Sequence, residues 1–584
     1  MKEKVLLCYV RLKTQVSLHW EYTGLFYLAG ALEGRGYLPK VYHGDRLRLP
    51  QVIRDLKPPV IGFSCDAENQ HFLEALIPEI KRYCVEELRY TPYILTGGPQ
   101  ACGLGETFLK TSGADYILRG EGEQILPDLL DCLFSEGPAS SSLDRIPGLC
   151  RLDAKGVFCE NPGIGIVKDL DTLPRPAYHT SLHKRPYGRV IFSGRGCPFS
   201  CAFCASHVGH QTFRMRRIGD VLAEIRANLA RDPGIRYIIM QDDTFCANAA
   251  RVREFCAGMR QLRKERPVVW FCETHVKTLL KDPALLGEMI ESGLVRLQVG
   301  MESGDPEVLH LYHKDITPEE VLELTELAAR MGLPQIAGNF IVGGPREKEG
   351  LTEQFVRQLL RTGAGIVDIN TGFLRNYPYT AISMNPAAFG LRVTAGDERT
   401  AGDDYPGVIP EDSSEEEVVA LRQGLNRAIR EEMGRCIEQK LIPTERIMAQ
   451  YRLMEEYGVN SRWTLEISAR EHIHEYYRML YLGEGQAFDR RIPAEHMYPQ
   501  RTFQFYRGVI LHGGIPKLFG MVLSPLEEDI LFYSAGKLSV SGITEALWEK
   551  WKGAYANPEE LKEAILGFLE IADRRYWITI FAFP

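Results

Sequence analysis

The sequence predicts an α/β protein of several domains, and three observations carry this. Short apolar runs alternate with helical patterns over the first 135 residues. A second series of apolar runs, each ending in a polar or glycine-rich loop, extends from Arg189 to Thr380. Helical spacing then dominates from Glu415. At 584 residues the chain is too long for one ordinary hydrophobic core, so three or four packed domains are expected.

The first run, Val5 to Val10, leads through a polar loop to a helical pattern of Leu25, Leu28, Ala29, Ala31 and Leu32 that stops at Gly34 and Gly36. Val60-Ile61-Gly62-Phe63-Ser64 then precedes a helix from about Asn69 to Val85, and Tyr93 to Pro99 is a strand ending in glycines. Tyr116-Ile117-Leu118 closes a fourth strand. Strands alternating with helices imply an open parallel sheet, in which ligands sit at the carboxyl ends of strands. Those ends carry Ser64, Gly97, Gly98 and Gly120, which either let a large flat ligand approach the backbone or are plain turn glycines.

Leu95-Thr96-Gly97-Gly98-Pro99 followed by Arg119-Gly120-Glu121-Gly122-Glu123 resembles the cobalamin-binding domain that precedes many radical S-adenosylmethionine (SAM) enzymes. The Asp-x-His-x-x-Gly string that supplies a cobalt ligand in many such domains is absent, and His19 and Gly24 are spaced wrongly for it. The resemblance therefore implies cobalamin without a histidine lower ligand, with Ser64 and its neighbours near the lower face.

A connector rich in turn formers, with Pro147, Pro162, Pro174 and Pro176, leads to Arg189-Val190-Ile191-Phe192 and a loop bearing Cys197, Cys201 and Cys204. Thiolates spaced C-x3-C-x2-C on one loop suit an iron–sulfur centre and leave one iron open. A structural zinc would need a fourth ligand, for which His207 is the local candidate. The spacing, with Phe203 before the last cysteine, matches the radical SAM signature, whose open iron chelates the amino and carboxylate groups of SAM.

Later blocks follow that family's order. Tyr237 to Met240 ends in Gln241-Asp242-Asp243, where the resemblance implies that Asp242 or Asp243 holds the SAM amine; a helix-capping role is the alternative. Val295 to Met301 ends in Glu302 and Ser303, resembling the ribose-binding strand. Gly338 to Glu347, with Ile341 and Gly343, resembles the strand lining the adenine site. Phe373 to Thr380 resembles the last barrel strand and its proline turn, with Tyr377 and Tyr379 read as packing residues.

Beyond Ala395 a polar stretch gives way to a helix over Glu415 to Cys436, with Val418, Leu421, Leu425 and Ile429 on one face. His472 and His474 are expected on a solvent-exposed helix. Ser524 is a plausible N-cap, and three short helices near the end resemble the winged-helix leader-peptide recognition domains of peptide-modifying enzymes; a structural cap is the alternative.

The expected architecture is a Rossmann-like cobalamin-binding domain over 1–140, a linker over 141–184 and a partial (β/α)6 radical SAM barrel over 185–395. A helical region over 396–500 and a small α/β winged-helix-like module over 501–584 complete it. The net charge of −8 without a basic block excludes a nucleic-acid partner. No run approaches the roughly 18 to 20 apolar residues of a membrane span. The N-terminus reads as a strand and not as a signal peptide, and 14 scattered cysteines fit reduced thiols in a cytoplasm. The resemblance implies a 4Fe-4S cluster, SAM and methylcobalamin, an electron donor such as flavodoxin or ferredoxin, and methylation of an unactivated carbon of a peptide or small-molecule substrate. Cyclisation or rearrangement without methyl transfer, and a non-enzymatic corrinoid or iron–sulfur sensor, are the rival readings.

Overall fold

The computed structural model describes residues 3–11, 22–182, 188–206, 212–348, 350–394, 406–457, 459, 461–468, 485–501, 511–512, 515–518, 521–575 and 577–582. His19, His207, His472 and His474 lie outside them. The chain divides into two compact bodies, residues 1–362 with 369–429, and residues 363–368 with 430–584.

The first body opens with a seven-stranded sheet: β1 (Lys4–Arg11), β2 (Leu38–Asp45), β3 (Val60–Ser64), β4 (Tyr93–Gly97), β5 (Tyr116–Leu118), β6 (Leu149–Leu152) and β7 (Phe158–Glu160). Its spatial order is β2-β1-β3-β4-β5-β6-β7, parallel through β5 and antiparallel beyond it. Both faces of β1 are buried, as period-two alternation demands of a parallel strand between helical layers. Val5, Leu7 and Tyr9 pack with the helices Thr23–Gly34 and Gly122–Ser135. Leu6, Cys8 and Val10 pack with Leu49–Leu56 and Gln70–Glu86 on the other face.

Two features correct the sequence reading here. β2 was not anticipated, and it is the edge strand that makes β1 and β3 flank the point where strand order reverses. The segment expected as a linker over 141–184 is more than a linker, since β6 and β7 extend the first sheet.

Next come β8 (Gly188–Ile191), a two-strand ribbon of β9 (Gly194–Arg195) and β10 (Arg214–Met215), and then β11 (Tyr237–Met240), β12 (Val269–Thr274), β13 (Leu294–Glu302), β14 (Gln335–Val342) and β15 (Val367–Phe373). The six-stranded sheet β15-β14-β13-β12-β11-β8 is the expected partial barrel, parallel from β8 through β14. β12 was not foreseen. Tyr377 and Tyr379 follow β15 instead of lying in it, and Tyr379 is 48% exposed, so packing does not account for it.

Helix Glu415–Glu438 buries Val418, Leu425, Ile429, Met433 and Cys436, while Leu421, expected on that face, sits at its margin and is exposed. In the second body, helices Pro525–Tyr533, Val540–Trp551 and Pro558–Arg574 enclose a core of Ile530, Ile543, Leu561, Ile565 and Trp577. Strands Met497–Arg501 and Ile578–Ala582 pair antiparallel beside it. Ser524 caps the first of these helices in a reciprocal box with Glu527. Among the described residues, no helix is long and apolar enough to cross a membrane.

Candidate active site

The cysteine loop follows β9, and its described residues up to Ser206 are tethered at several points. At its stem, the Asp242 carboxylate accepts the Ser193 N–H at 2.6 Å and also the Ser193 hydroxyl, while Arg251 donates to the Ser193 carbonyl at 2.5 Å. Midway, Phe199 stacks on His275 with ring centroids 4.2 Å apart. Burial, aided by Lys314, holds His275 down at about 4, so it is neutral at pH 7. Further on, the Ala202 N–H donates to the Tyr312 carbonyl at 2.9 Å, and Phe203 meets the Tyr312 ring edge-on. Ser206 donates its N–H to the Cys204 sulfur at 3.5 Å and its hydroxyl to Asp243 at 2.9 Å.

All three thiols are free and near enough to act on one another electrostatically. Among the described residues, no three His, Cys, Asp or Glu side chains are gathered as ligands of a single metal ion. In a cubane cluster each thiolate binds a different iron, so its cysteines stand further apart than the ligands of one ion. The three thiols are the donors such a cluster takes, and His207, the fourth ligand a zinc would need, lies outside the described residues. A compensating positive charge is at hand, because the Lys314 ammonium acts on Cys201.

Asp242 and Asp243 have different tasks. Asp242 is buried, and both its oxygens are engaged by Ser193. Asp243 is exposed beside Ser206 and is the better placed of the two to meet an ammonium group. Neither caps a helix; Asn248 caps the one that follows, Ala249–Glu265. At the end of β13 the pairing with β14 slips by one residue, and Glu302 takes a left-handed backbone with φ of 60°. A non-glycine residue held there marks local strain of the kind found at functional sites. Its carboxylate forms a buried ion pair with Lys314 at 2.9 Å.

Ser303 is turned inward: its hydroxyl bonds Thr352 at 3.1 Å and accepts the Asp305 N–H at 3.0 Å. It anchors the turn after Glu302 and does not offer a hydroxyl to a ribose. Ile341 is half-buried on β14. Gly343 has φ of 83°, and a Cβ there would come within 2.8 Å of Val418, so its identity is set by backbone and packing. Lys314 escaped the sequence reading, although its position twelve residues after Glu302, beyond the short helix Pro306–Leu311, was a usable signal.

Inside the barrel, alternation along the strands sends Trp270, Cys272, Leu297 and Val299 outward into the buried layer and Glu273, Gln298 and Asn339 inward. Gln298 donates to Glu273 at 2.8 Å, and Asn370 of β15 donates to Asn339 at 3.3 Å. This rung is polar and only partly buried. Burial, reinforced by Asp243 and opposed by Arg296, pushes the Glu273 carboxyl up to about 7 from an ordinary 4.5. Between those values the folded chain keeps a proton that the unfolded chain has lost, so stability falls as pH rises from about 4.5 to 7 and then levels. Glu273→Gln is expected to remove that fall, on the order of 2–3 kcal/mol, in urea titrations at pH 5 and pH 8.

On the first sheet, Ser64 and Gly97 end β3 and β4 side by side. Asn69 bridges the strand-order reversal, donating to the carbonyls of Val10 at 3.3 Å and Ser64 at 3.0 Å. The two left-handed glycines need no ligand to explain them. A Cβ on Gly98 (φ 95°) would lie 2.4 Å from the Cys65 carbonyl oxygen, and one on Gly120 (φ 86°) would lie 2.3 Å from that of Gly165. Close backbone packing is thus sufficient reason for glycine at both positions. Gly98→Ala is expected to cost about 2 kcal/mol or more of stability, read from the denaturation midpoint.

The carboxyl-end crests of the first sheet and the barrel meet at two places. A Cβ on Gly103, in the helix after β4, would lie 2.4 Å from Pro378 of the loop after β15. Glu121 and Glu123 after β5 reach Arg195 and Arg214 of the cysteine ribbon. The side-chain oxygens of Gln100 and Asn376, one from each crest, are buried without a hydrogen-bond donor.

Residues 191–359 match the radical SAM superfamily. An uncharacterised methyltransferase of Pyrococcus horikoshii is 26% identical over 322 residues, covering 53% of this chain and 66% of the relative. The chain spans 56% to 66% of the length of the first curated relatives it matches. OxsB, a cobalamin-dependent SAM radical enzyme solved with aqua-cobalamin and SAM bound, aligns over 99% of this chain and 84% of its own, with a TM-score of 0.58 at 15% identity. TsrM, a radical SAM methyltransferase from Kitasatospora setae solved with cobalamin and a 4Fe-4S cluster, covers 68% of this chain and 78% of its own, with a TM-score of 0.53 at 18% identity. Likeness at those identities speaks for the fold. Residues 191–359 are thus a radical SAM domain, and the chain shares with OxsB and TsrM the order of an α/β sheet followed by that barrel.

Proposed function

We propose that the chain is a cobalamin-dependent radical SAM C-methyltransferase acting on an unactivated carbon of a polar substrate, a peptide or an amide-bearing natural product. The observation that supports this is the meeting of the two carboxyl-end crests beside the cysteine loop, the position from which a corrin on the first sheet would face SAM on the barrel. When bound, the cluster supplies the electron that splits SAM into methionine and a 5'-deoxyadenosyl radical, and methylcobalamin supplies the methyl group.

The chain's residues bind and orient. Cys197, Cys201 and Cys204 hold the cluster. Asp243 receives the SAM amine, and the Glu302–Lys314 pair offers an acceptor and a cation to the rest of the molecule. Ile341 and the backbone at Gly343 flank its adenine. Ser64 and Gly97 edge the corrin's lower face. The rung of Glu273, Gln298, Asn339 and Asn370 suits a substrate with amide donors and acceptors better than a hydrocarbon, because each unpaired polar group facing an apolar ligand is costly. The C-terminal three-helix module is the proposed peptide-recognition element, supported by its separate core. Unchanged peptide binding after truncation beyond Gln500 would remove it from that role.

The test is anaerobic purification and reconstitution with iron, sulfide and hydroxocobalamin. About four irons and one cobalt per chain are expected. Iron without cobalt would discard methyl transfer from a corrin. A product of unchanged mass would move the reading to rearrangement.

A further inference from the structure

The neck of the cysteine loop is held by the other domain. β9 and β10 pair with Arg195 directly opposite Arg214, and the segment bearing Cys197, Cys201 and Cys204 runs out from β9 and returns through β10. Like charges opposite one another on a ribbon repel, and here both arginine side chains are only 10% exposed. What neutralises them comes from residues 121–123, at the corner after β5. Glu121 takes Arg214 at 2.6 and 3.0 Å and Arg195 at 3.3 Å; Glu123 takes Arg195 at 2.5 Å. Glu121 also accepts the Val167 N–H at 2.6 Å, and the Arg195 guanidinium lies over the Tyr27 ring at 5.5 Å. Two buried positive and two buried negative groups thus balance across the domain boundary, in a site where no solvent substitutes for a missing partner.

We propose that Glu121 and Glu123 are positioning residues that fix the cluster loop relative to the corrin-binding crest, and so set how SAM partitions between its two fates. This rests on the cobalamin-dependent reading. In one fate the corrin's cobalt, brought to Co(I) by two electrons from a flavodoxin- or ferredoxin-type donor, takes the SAM methyl as CH3+: the S–CH3 bond breaks, a Co–CH3 bond forms with cobalt now at Co(III), and S-adenosylhomocysteine leaves. In the other, an electron from a flavodoxin- or ferredoxin-type donor passes through the cluster and breaks the S–C5' bond, giving methionine and, after hydrogen abstraction, 5'-deoxyadenosine. Only the first depends on the distance from the cluster-held SAM to cobalt, because SAM moves with the loop. Gly120, packed against Gly165, makes the same corner stiff on its connector side.

The test uses full-length protein loaded with iron and hydroxocobalamin, comparing wild type with Glu123→Gln, which keeps the shape and leaves Arg195 with one fewer negative partner. Expected is a fall on the order of tenfold or more in the ratio of S-adenosylhomocysteine to 5'-deoxyadenosine. Alongside it, the dipolar distance distribution between the reduced cluster and cob(II)alamin, read by pulsed electron paramagnetic resonance, should broaden. Should that variant not fold, the doubly apolar Arg195→Met/Glu123→Met removes the charges as a pair and packs similar volume. Unchanged ratio and unchanged distances in whichever variant folds would overturn the proposal. A wild-type chain that loads iron but no cobalt would overturn the reading beneath it instead.

Discussion

Cys201→Ala is expected to abolish iron loading and SAM cleavage while leaving the chain folded. Cys201 is 9% exposed, the most enclosed of the three thiols, and the backbone at Ala202 is already pinned by Tyr312. Removing one sulfur from that position creates a small cavity costing about 1 kcal/mol, far below what unfolds a domain of this size. The chemical loss is disproportionate. A three-thiolate site deprived of one ligand cannot hold a cluster that already leaves one iron open. The check is metal analysis together with visible absorbance after anaerobic reconstitution, and 5'-deoxyadenosine formation with dithionite. Near-normal iron in the variant would mean that the ligand assignment is wrong. Cys246, Cys256 and Cys272, which are buried in the barrel's outer layer, serve as controls, because Cys→Ala there is expected to change stability and not iron content.

Much of this site was legible because its chemistry is local in sequence. Cys197, Cys201 and Cys204 fall within eight residues, and the strand ends at Asp242, Glu302 and Gly343 announce themselves as polar or glycine punctuation after apolar runs. What escaped is long-range or unpunctuated. β2 contains Pro39, Lys40 and His43 and is partly exposed at the sheet edge, so neither its propensity nor its alternation stands out. β12 follows a basic helix end without a glycine and runs straight into a helix at Val276, which hides it as a helical fragment. The ion network links residues 72 and 93 positions apart, a pairing that no periodicity encodes. Gly98 and Gly120 were legible as special positions but not as to why. The backbone that excludes a Cβ belongs to Cys65 in one case and to Gly165 in the other, and both approaches exist only in the folded sheet.

Lys314→Met is expected to be the most costly single change among the site's cations. Lys314 and Glu302 are 10% and 8% exposed and 2.9 Å apart, so the pair is desolvated and its geometry is good. Deleting one member of such a pair leaves a carboxylate buried without a counter-charge, which costs about 3–5 kcal/mol. The left-handed backbone at Glu302 prevents easy relief, since the side chain is directed by a turn that Ser303, Thr352 and Asp305 hold from the other side. The effect should therefore divide into two measurable parts. Denaturation in urea should show the stability loss, and the double variant Lys314→Met/Glu302→Met should recover most of it, because an apolar pair of similar volume has no charge to solvate. SAM affinity should fall in both, since the cation beside the cluster is gone from each and the acceptor at the end of β13 is gone as well from the double variant. A Lys314→Met protein within about 1 kcal/mol of wild type would show that Glu302 finds solvent or another partner. In that case the pair would be a surface contact and not part of the SAM site. Stability recovered in the double variant with SAM affinity still lost, the expected result, shows that the pair's role is binding and that its stability effect is only the consequence of burying it.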